Sequence, residues 1–423
     1  MFSTIFVFNF AFGTFNFLTL QFNEFNIHAD VLEGIDAMNY LQASPIQEMA
    51  IPIILEGKDL IASAQTGTGK TAAYLIPTLD LIKRKKTEHI AALILVPTRE
   101  LAKQIDEQIE GFSYFIGATS LAIYGGGKGE NWDQQRKALT DGADIIIATP
   151  GRLMAQMKSG MVSFSDLQCL ILDEADKMLD MGFSDDILYI IKHLPAKRQN
   201  LMFSATMPKK IRDFADKILV NPAEIKLAVS KPAEGIDQQF YLAADHQKLP
   251  LLLHLLKDTA ELTIIIFTSQ KTMIHQIIRA LSKAKIEARG VSSDNSQEER
   301  EAALRGFKNK NFNILVATDV LSRGIDINNL NLVINFDVPR DAEDYIHRIG
   351  RTARAETTGT SFTFINQRDQ PKIVAIEKLL ERVVEKRNIT AGLGLGEAPA
   401  FNVEPRSKSS FKKPFKKKSY RPA

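Results

Sequence analysis

The chain has 423 residues, 45% of them hydrophobic and 24% charged, with a formal net charge of +3 and a single cysteine. That length exceeds the roughly 250 to 300 residues at which one core stops growing, so two domains plus extensions are expected. The composition excludes collagenous, disulfide-stapled and wholly disordered chains, and the lone Cys169, inside the apolar run "CLILDEAD", reads as a small core residue in a reducing compartment, the cytoplasm.

Residues 1–23 carry no charge and are rich in phenylalanine. Asn9, Asn16 and several threonines interrupt the run, and neither a basic start nor a small-residue cleavage motif frames it, so residues 1–21 are expected to be a weakly structured extension, not a membrane anchor or targeting element. A repeated unit follows: a short aliphatic strand, a polar or glycine-containing turn, then a helical pattern. The strands of the first half are "DLIAS" (59–63), "ALILV" (92–96), "DIIIA" (144–148), "CLILD" (169–173) and "NLMFS" (200–204). Those of the second are "TIIIFT" (263–268), "NILVAT" (313–318), "LVINF" (332–336) and "SFTFI" (361–365). Near-continuous apolar strands alternating with amphipathic segments such as 100–112 and 271–284 indicate α/β domains with parallel sheets covered on both faces.

Pro232 and Gly235 mark a linker over 228–239 between a first domain at 22–227 and a second at 240–388, which a helical stretch over 371–388 would close. Residues 389–423 then form a flexible tail. Its last part, 406–423, holds eight Lys or Arg and no acid, which leaves 45 basic against 50 acidic residues elsewhere. Phe411, Phe415 and Tyr420 are spaced among those charges as base-stacking groups would be, so the tail reads as a basic RNA-binding arm as well as a solubilising one.

Nearly every unusual polar cluster begins where a strand ends, the place where open parallel sheets bind ligands. "AQTGTGKT" (64–71) follows one strand and opens a helical pattern. Gly67 and Gly69 let backbone N–H groups wrap phosphates, Lys70 reaches the β and γ phosphates of a nucleotide, and the Thr71 hydroxyl suits Mg²⁺. Ala64 stands where the common phosphate-loop pattern has glycine. After "LIL", Asp173 and Glu174 place two carboxylates side by side. Alone they would read as an acidic helix start. Near a phosphate loop they read as a metal-holding acid and a neighbour that orients or deprotonates the attacking water.

These clusters, with "PTRELA" (97–102), Gly125-Gly126, "TPGR" (149–152), "SAT" (204–206), "QEERE" (297–301), "ATDVLSRGIDI" (317–327), "HRIGRTAR" (347–354) and "SPIQ" ending at Gln47, resemble the DEAD-box RNA helicases of superfamily two. The resemblance runs in order over about residues 22–385, and the short basic tail makes the chain similar to the bacterial RhlE-type subgroup. It implies two tandem RecA-like domains, each a parallel sheet flanked by helices, and an ATP- and Mg²⁺-dependent RNA helicase that acts as a monomer without a membrane. It also implies Phe22 stacking on adenine, Gln47 reading the adenine edge, and Gln65, Thr66, Gly67, Thr68, Gly69, Lys70 and Thr71 around the phosphates. Gly324 and Asp326 would meet the ribose side. Arg351 and Arg354 would be arginine fingers beside Lys70, Asp173 and Glu174, and Asp176, Ser204, Thr206 and His347 would couple the metal site to the domain interface.

For RNA the resemblance implies backbone contacts from Thr98, Arg99, Gly126, Thr149, Gly151 and Arg152 in the first domain, and from Thr268, Gln297, Arg300 and Thr318 in the second. Hydroxyls, guanidinium groups and exposed amides suit phosphates and 2′-hydroxyls and read no base edge. Ser292-Ser293 replaces a usual His-Gly, Ala353 a frequent glycine, Asn39-Tyr40 a common Gly-Phe, and Ala43 a proline. None of these departures removes a charge or a metal ligand.

Overall fold

The computed structural model describes residues 20–64, 67–85, 89–125, 142–158, 160, 162–227, 235–257, 259, 261–292, 294–318, 330–352 and 359–402. The first half builds β1 (Leu60–Ser63), β2 (Ala92–Leu95), β3 (Ser120–Ile123), β4 (Ile145–Ala148), β5 (Cys169–Leu172), β6 (Gln199–Ser204) and β7 (Ala223–Lys226). The second builds β8 (Ile236–Leu242), β9 (Ile264–Phe267), β10 (Arg289–Val291), β11 (Ile314–Ala317), β12 (Leu332–Asn335), β13 (Gly359–Ile365) and β14 (Lys386–Arg387). All nine runs expected to be strands are strands. The five missed, β3, β7, β8, β10 and β14, lie at or near sheet edges, and all but β3 lack a continuous aliphatic run.

Among the described residues each sheet has seven strands, and every pairing is parallel. The orders are β3-β4-β2-β5-β6-β1-β7 and β10-β11-β9-β12-β13-β8-β14. Counted from its own first strand, the second order repeats the first. Alternation along the strands explains why both faces are covered: Ile94, Ile145, Ile147 and Phe203 enter one core of the first domain, while Leu93, Leu95, Ile146 and Met202 enter the other. Cys169 is buried, and burial pushes its thiol up to about 12, as fits a core residue.

Three expected boundaries move. β8 begins at Ile236, so the last residues assigned to the linker belong to the second sheet. The closing helix runs only from Gln370 to Leu380, because Glu381 turns left-handed at φ 54° and Lys386–Arg387 then pairs with β8. Residues 389–402 are a strap bound to the second domain, not a flexible tail. Gln247 donates to the carbonyls of Leu395, Gly396 and Glu397 at 2.9, 3.2 and 3.0 Å, and Gln370 holds the Ala400 carbonyl and the Asn402 N–H. Residues 1–19 and 403–423, with all but the last two residues of the expected extension and with the basic arm, lie outside the described residues.

Candidate functional site

β1 runs into the phosphate loop, and the loop ends at Gly69, whose φ of 94° only glycine adopts readily. A side chain there would also strike Gln47, since a Cβ would lie 2.5 Å from its Nε2. Gln47 clasps the loop: its Nε2 donates to the Gly69 carbonyl at 3.1 Å, while its Oε1 accepts from the Ser44 N–H at 2.8 Å. The amide expected to face adenine is thus engaged on the loop itself. Phe22 is packed into the core, not presented as a stacking face, with its ring centroid 6.2 Å from that of Phe25 and 6.4 Å from that of Tyr40.

Lys70 opens the helix Lys70–Arg84 and is buried, its ammonium donating to the Ala64 carbonyl at 2.5 Å. One turn on, the Tyr74 hydroxyl donates to Asp173 Oδ2 at 2.8 Å, and the Glu174 N–H donates to Asp173 Oδ1 at 2.8 Å. Tyr74 is a site residue that sequence reasoning missed; its signal was a tyrosine four residues after Lys70, on the same helix face. Burial pushes the Asp173 carboxyl up, with Lys70 opposing, and pushes the Lys70 ammonium down, with Asp173 and Glu174 opposing. Incoming phosphate or metal charge would relieve both.

Glu174 adopts the left-handed region at φ 51° and ψ 47°, which turns the chain sharply from β5 into the helix Ala175–Asp180. Its Oε1 accepts from Lys177 Nζ at 2.5 Å, while its Oε2 is buried without a hydrogen-bond partner. Lys177, also missed, is the nearby cation that two adjacent buried carboxylates require. Asp176 Oδ2 accepts from the N–H and hydroxyl of Thr206 at 3.1 and 3.2 Å, and the Ser204 hydroxyl donates to the Thr206 carbonyl at 2.7 Å. The end of β6 is thereby tied to the end of β5.

The second domain faces this edge through the helix Ala342–Ile349. His347 lines an interdomain cavity of about 500 Å³ with Asp176, Lys177 and Thr206. Burial, then the charges of Lys177, Lys70 and Arg351, hold its imidazole down at about 3, and its Nε2 makes no hydrogen bond. It therefore adjoins the coupling residues without the direct Nε2 bond that pairing would imply. Arg351 follows that helix and is half-buried. Gln65, Thr66, Gly324, Asp326 and Arg354 lie outside the described residues.

The other polar residues gather on the opposite half of the same sheet edges. Thr98 caps the helix Arg99–Phe112 by accepting from the Leu101 N–H at 3.3 Å, and Gly125 lies near the Arg99 guanidinium. Thr149 follows β4, and Gly151 and Arg152 lie in the helix Pro150–Lys158 that starts there. Burial and the neighbouring Arg99 charge push Arg152 down, as expected of two guanidiniums brought together on one sheet edge. In the second domain Arg300 Nε donates to the Ser292 carbonyl at 3.1 Å, and Thr318 follows β11. Thr268 departs from expectation: it is fully buried and its hydroxyl donates to Asp337 at 2.8 Å, so it offers RNA no surface. Gly126 and the Gln297 side chain lie outside the described residues.

Family comparison agrees with this geometry. Residues 44–214 match the model of the DEAD/DEAH box helicases, and residues 247–356 match the helicase conserved C-terminal domain. The chain is 41% identical over 364 residues to the DEAD-box ATP-dependent RNA helicase CshA of Streptococcus pneumoniae, covering 86% of this chain and 69% of that protein. It is 38% identical over 366 residues to RhpA of Helicobacter pylori, covering 86% and 73%. Saccharomyces cerevisiae Dbp5 bound to RNA and ADP BeF3 superposes with a TM-score of 0.76 at 29% identity, over 87% of this chain and 95% of that one. A Dbp5 variant bound to Nup159, Gle1, IP6 and ADP gives 0.60 at 28% identity, over 86% and 95%. With its phosphate loop, its DEAD tetrad and its second parallel domain in this order, the chain belongs to the DEAD-box ATP-dependent RNA helicases.

Proposed function

We propose that the protein hydrolyses ATP in response to RNA and separates short duplexes by closing its two domains around one strand, with little regard for sequence. The observation that carries this reading is the meeting of the two sheet edges. The phosphate loop and Glu174 lie on one side of the cleft and His347 and Arg351 on the other, in an arrangement nearer to Dbp5 with RNA and ADP BeF3 than to the variant bound to Nup159, Gle1, IP6 and ADP.

In this reading Lys70 meets the β and γ phosphates. Thr71 and Asp173 hold Mg²⁺, which fits a site where one buried carboxylate and one hydroxyl leave room for water and phosphate oxygens. When bound, the ion neutralises charge on the phosphates. Tyr74 fixes the Asp173 carboxylate. Glu174, its Oε1 held by Lys177, directs the free Oε2 toward the attacking water and takes its proton. Arg351 and Arg354 approach the γ phosphate only when the domains close, so RNA and ATP each favour the closed form and by linkage tighten the other. Gln47 reads adenine while holding the loop, with Phe22 supporting that wall from within the core, and Gly324 and Asp326 adjoin the ribose. Arg99, Arg152, Arg300 and Thr318, with Thr98, Gly126, Thr149, Gly151 and Gln297, grip the RNA backbone.

An RhlE-type affiliation rests on the length and charge of the tail; the relatives compared bear the names CshA and RhpA. A role in ribosome assembly or RNA decay in the cytoplasm, as a monomer, accords with the family, and no described helix is long and apolar enough to cross a membrane. Two measurements test the core proposal. ATPase activity should rise severalfold with single-stranded RNA and not with DNA of the same sequence, and a short RNA duplex should be released only with ATP. Stimulation by DNA would make the protein a DNA translocase, and RNA-dependent turnover without strand release would make it a clamp.

A further inference from the structure

Outside the nucleotide cleft, the domains meet through a charged pair. Lys103 lies on the helix Arg99–Phe112, one turn beyond Arg99, and its ammonium pairs with the carboxylate of Glu301 on the helix Gln297–Lys308. Residues four apart share a helix face. Lys103 therefore stands directly behind Arg99, and Glu301 directly behind Gln297 and beside Arg300, so the pair joins the two helices whose first turns carry RNA candidates. Tyr124, at the end of β3 just before the Gly125-Gly126 pair, places its ring 5.6 Å from the Lys103 ammonium. Burial works against the charge on Lys103, yet Glu301 and Tyr124 hold its ammonium above the usual range. On the domain-two side the Arg305 guanidinium lies 3.9 Å from Glu301, and on the domain-one helix Asp106 is occupied by the Ser120 hydroxyl. Lys103 and Glu301 are separated by 198 positions and stand on different domains, so the contact bridges the two.

We propose that Lys103, Glu301 and Tyr124 form an interdomain latch that sets the spacing of the two RNA-gripping helices, a positioning role that strengthens RNA binding without entering ATP hydrolysis. The inference rests on the RNA-helicase reading. It predicts a pattern that plain attraction between Lys103 and RNA does not. Lys103→Glu and Glu301→Lys should each raise the RNA concentration for half-maximal ATPase activity by about two- to fivefold, the range of partly exposed ion pairs. The saturated kcat should stay within about twofold in both. The double swap, Lys103→Glu with Glu301→Lys, should restore half-saturation to near the wild-type value.

The decisive variant is Glu301→Lys, which adds positive charge beside RNA and removes the latch. Tighter RNA binding in this variant, with weaker binding in Lys103→Glu, would mean that Lys103 simply attracts phosphate, and the latch would be wrong. A double swap that shows the sum of the single effects would also overturn it, as would a loss confined to saturated kcat. Wild-type protein assayed alongside keeps the two readings apart: if it shows no RNA stimulation the helicase reading fails, whereas normal stimulation with unmoved variants removes only the latch.

Discussion

The two domains share one strand order but treat the nucleotide position differently. In the first, six residues, 64–69, join β1 to its helix, and two left-handed glycines open the loop around Lys70. In the second, only Ala243 and Ala244 separate β8 from the helix Asp245–Leu255. A lysine in the first turn of that helix, Lys248, is fully buried and donates to Asp337, two residues past the end of β12, at 2.9 Å. Asp369 lies 3.8 Å away, and Gln247 binds the strap 395–397 over the same helix end. Burial alone would raise Asp337, but Lys248, the Ser269 N–H and the Thr268 hydroxyl hold its carboxyl below the usual range. Lys70 donates to a loop carbonyl, whereas Lys248 is neutralised by carboxylates of its own domain. The fold thus supplies a position, and the loop decides whether it is a site.

Four experiments break or sharpen this contrast. The largest effect is expected across the cleft: Arg351→Ala should leave ATP binding intact and cut RNA-stimulated kcat by about 10³ to 10⁵, the range for arginine fingers. A loss of tenfold or less here and in Arg354→Ala would mean that neither arginine is a finger. Next, Glu174→Gln should lower kcat by about 10² to 10⁴ while RNA stays clamped with ATP bound; rapid RNA release would contradict the assigned role.

The two lysines come third. Lys248→Met leaves the partly buried Asp337 without its cation and should cost the second domain about 1 to 3 kcal/mol in denaturant unfolding, with nucleotide binding by the first domain unchanged. Lys70→Met should do the reverse, abolishing turnover at little cost in stability. Reduced nucleotide affinity in Lys248→Met would show that the second position is not closed.

The smallest effect is in pH. In the closed arrangement burial and neighbouring cations hold His347 neutral down to about 3, whereas an opened cleft lets it return toward 6.5. Between those values only the open form takes up the proton, so closure is fully favoured above 6.5 and weakens as pH falls through it. From about pH 7.5 to about pH 5.5 the RNA needed for half-saturation should rise about tenfold, and His347→Asn should flatten that profile. An equal slope in the variant would assign the titration elsewhere.

Much of this was legible in the sequence because strand cores and phosphate chemistry are local. A run such as "ALILV" is buried on both faces wherever it sits, and "GTGKT" after a strand and before a helix needs no distant partner. Edge strands such as Ala223–Lys226 were not legible, because half-exposed residues carry no continuous apolar signal. The docked strap after the second domain also lay hidden: "TAGLGLGEAP" looks like linker until Gln247 and Gln370 supply its backbone partners.

Two parallel α/β domains, the phosphate loop, the acidic pair and the polar residues at strand ends are written in the primary structure, since each follows from residue type and spacing within a few positions. Tertiary structure decided which strand ends are neighbours. The order β3-β4-β2 gathers Arg99, Gly125 and Arg152 on one half of the edge, while β5-β6-β1 gathers Asp173, Thr206 and Lys70 on the other. It also decided that Thr268 faces Asp337 instead of RNA, that Tyr74 holds Asp173, and that Lys103 meets Glu301 across the cleft. Crossover connections set strand order, and domain closure sets contacts between residues far apart in the chain; neither leaves a local pattern to be read.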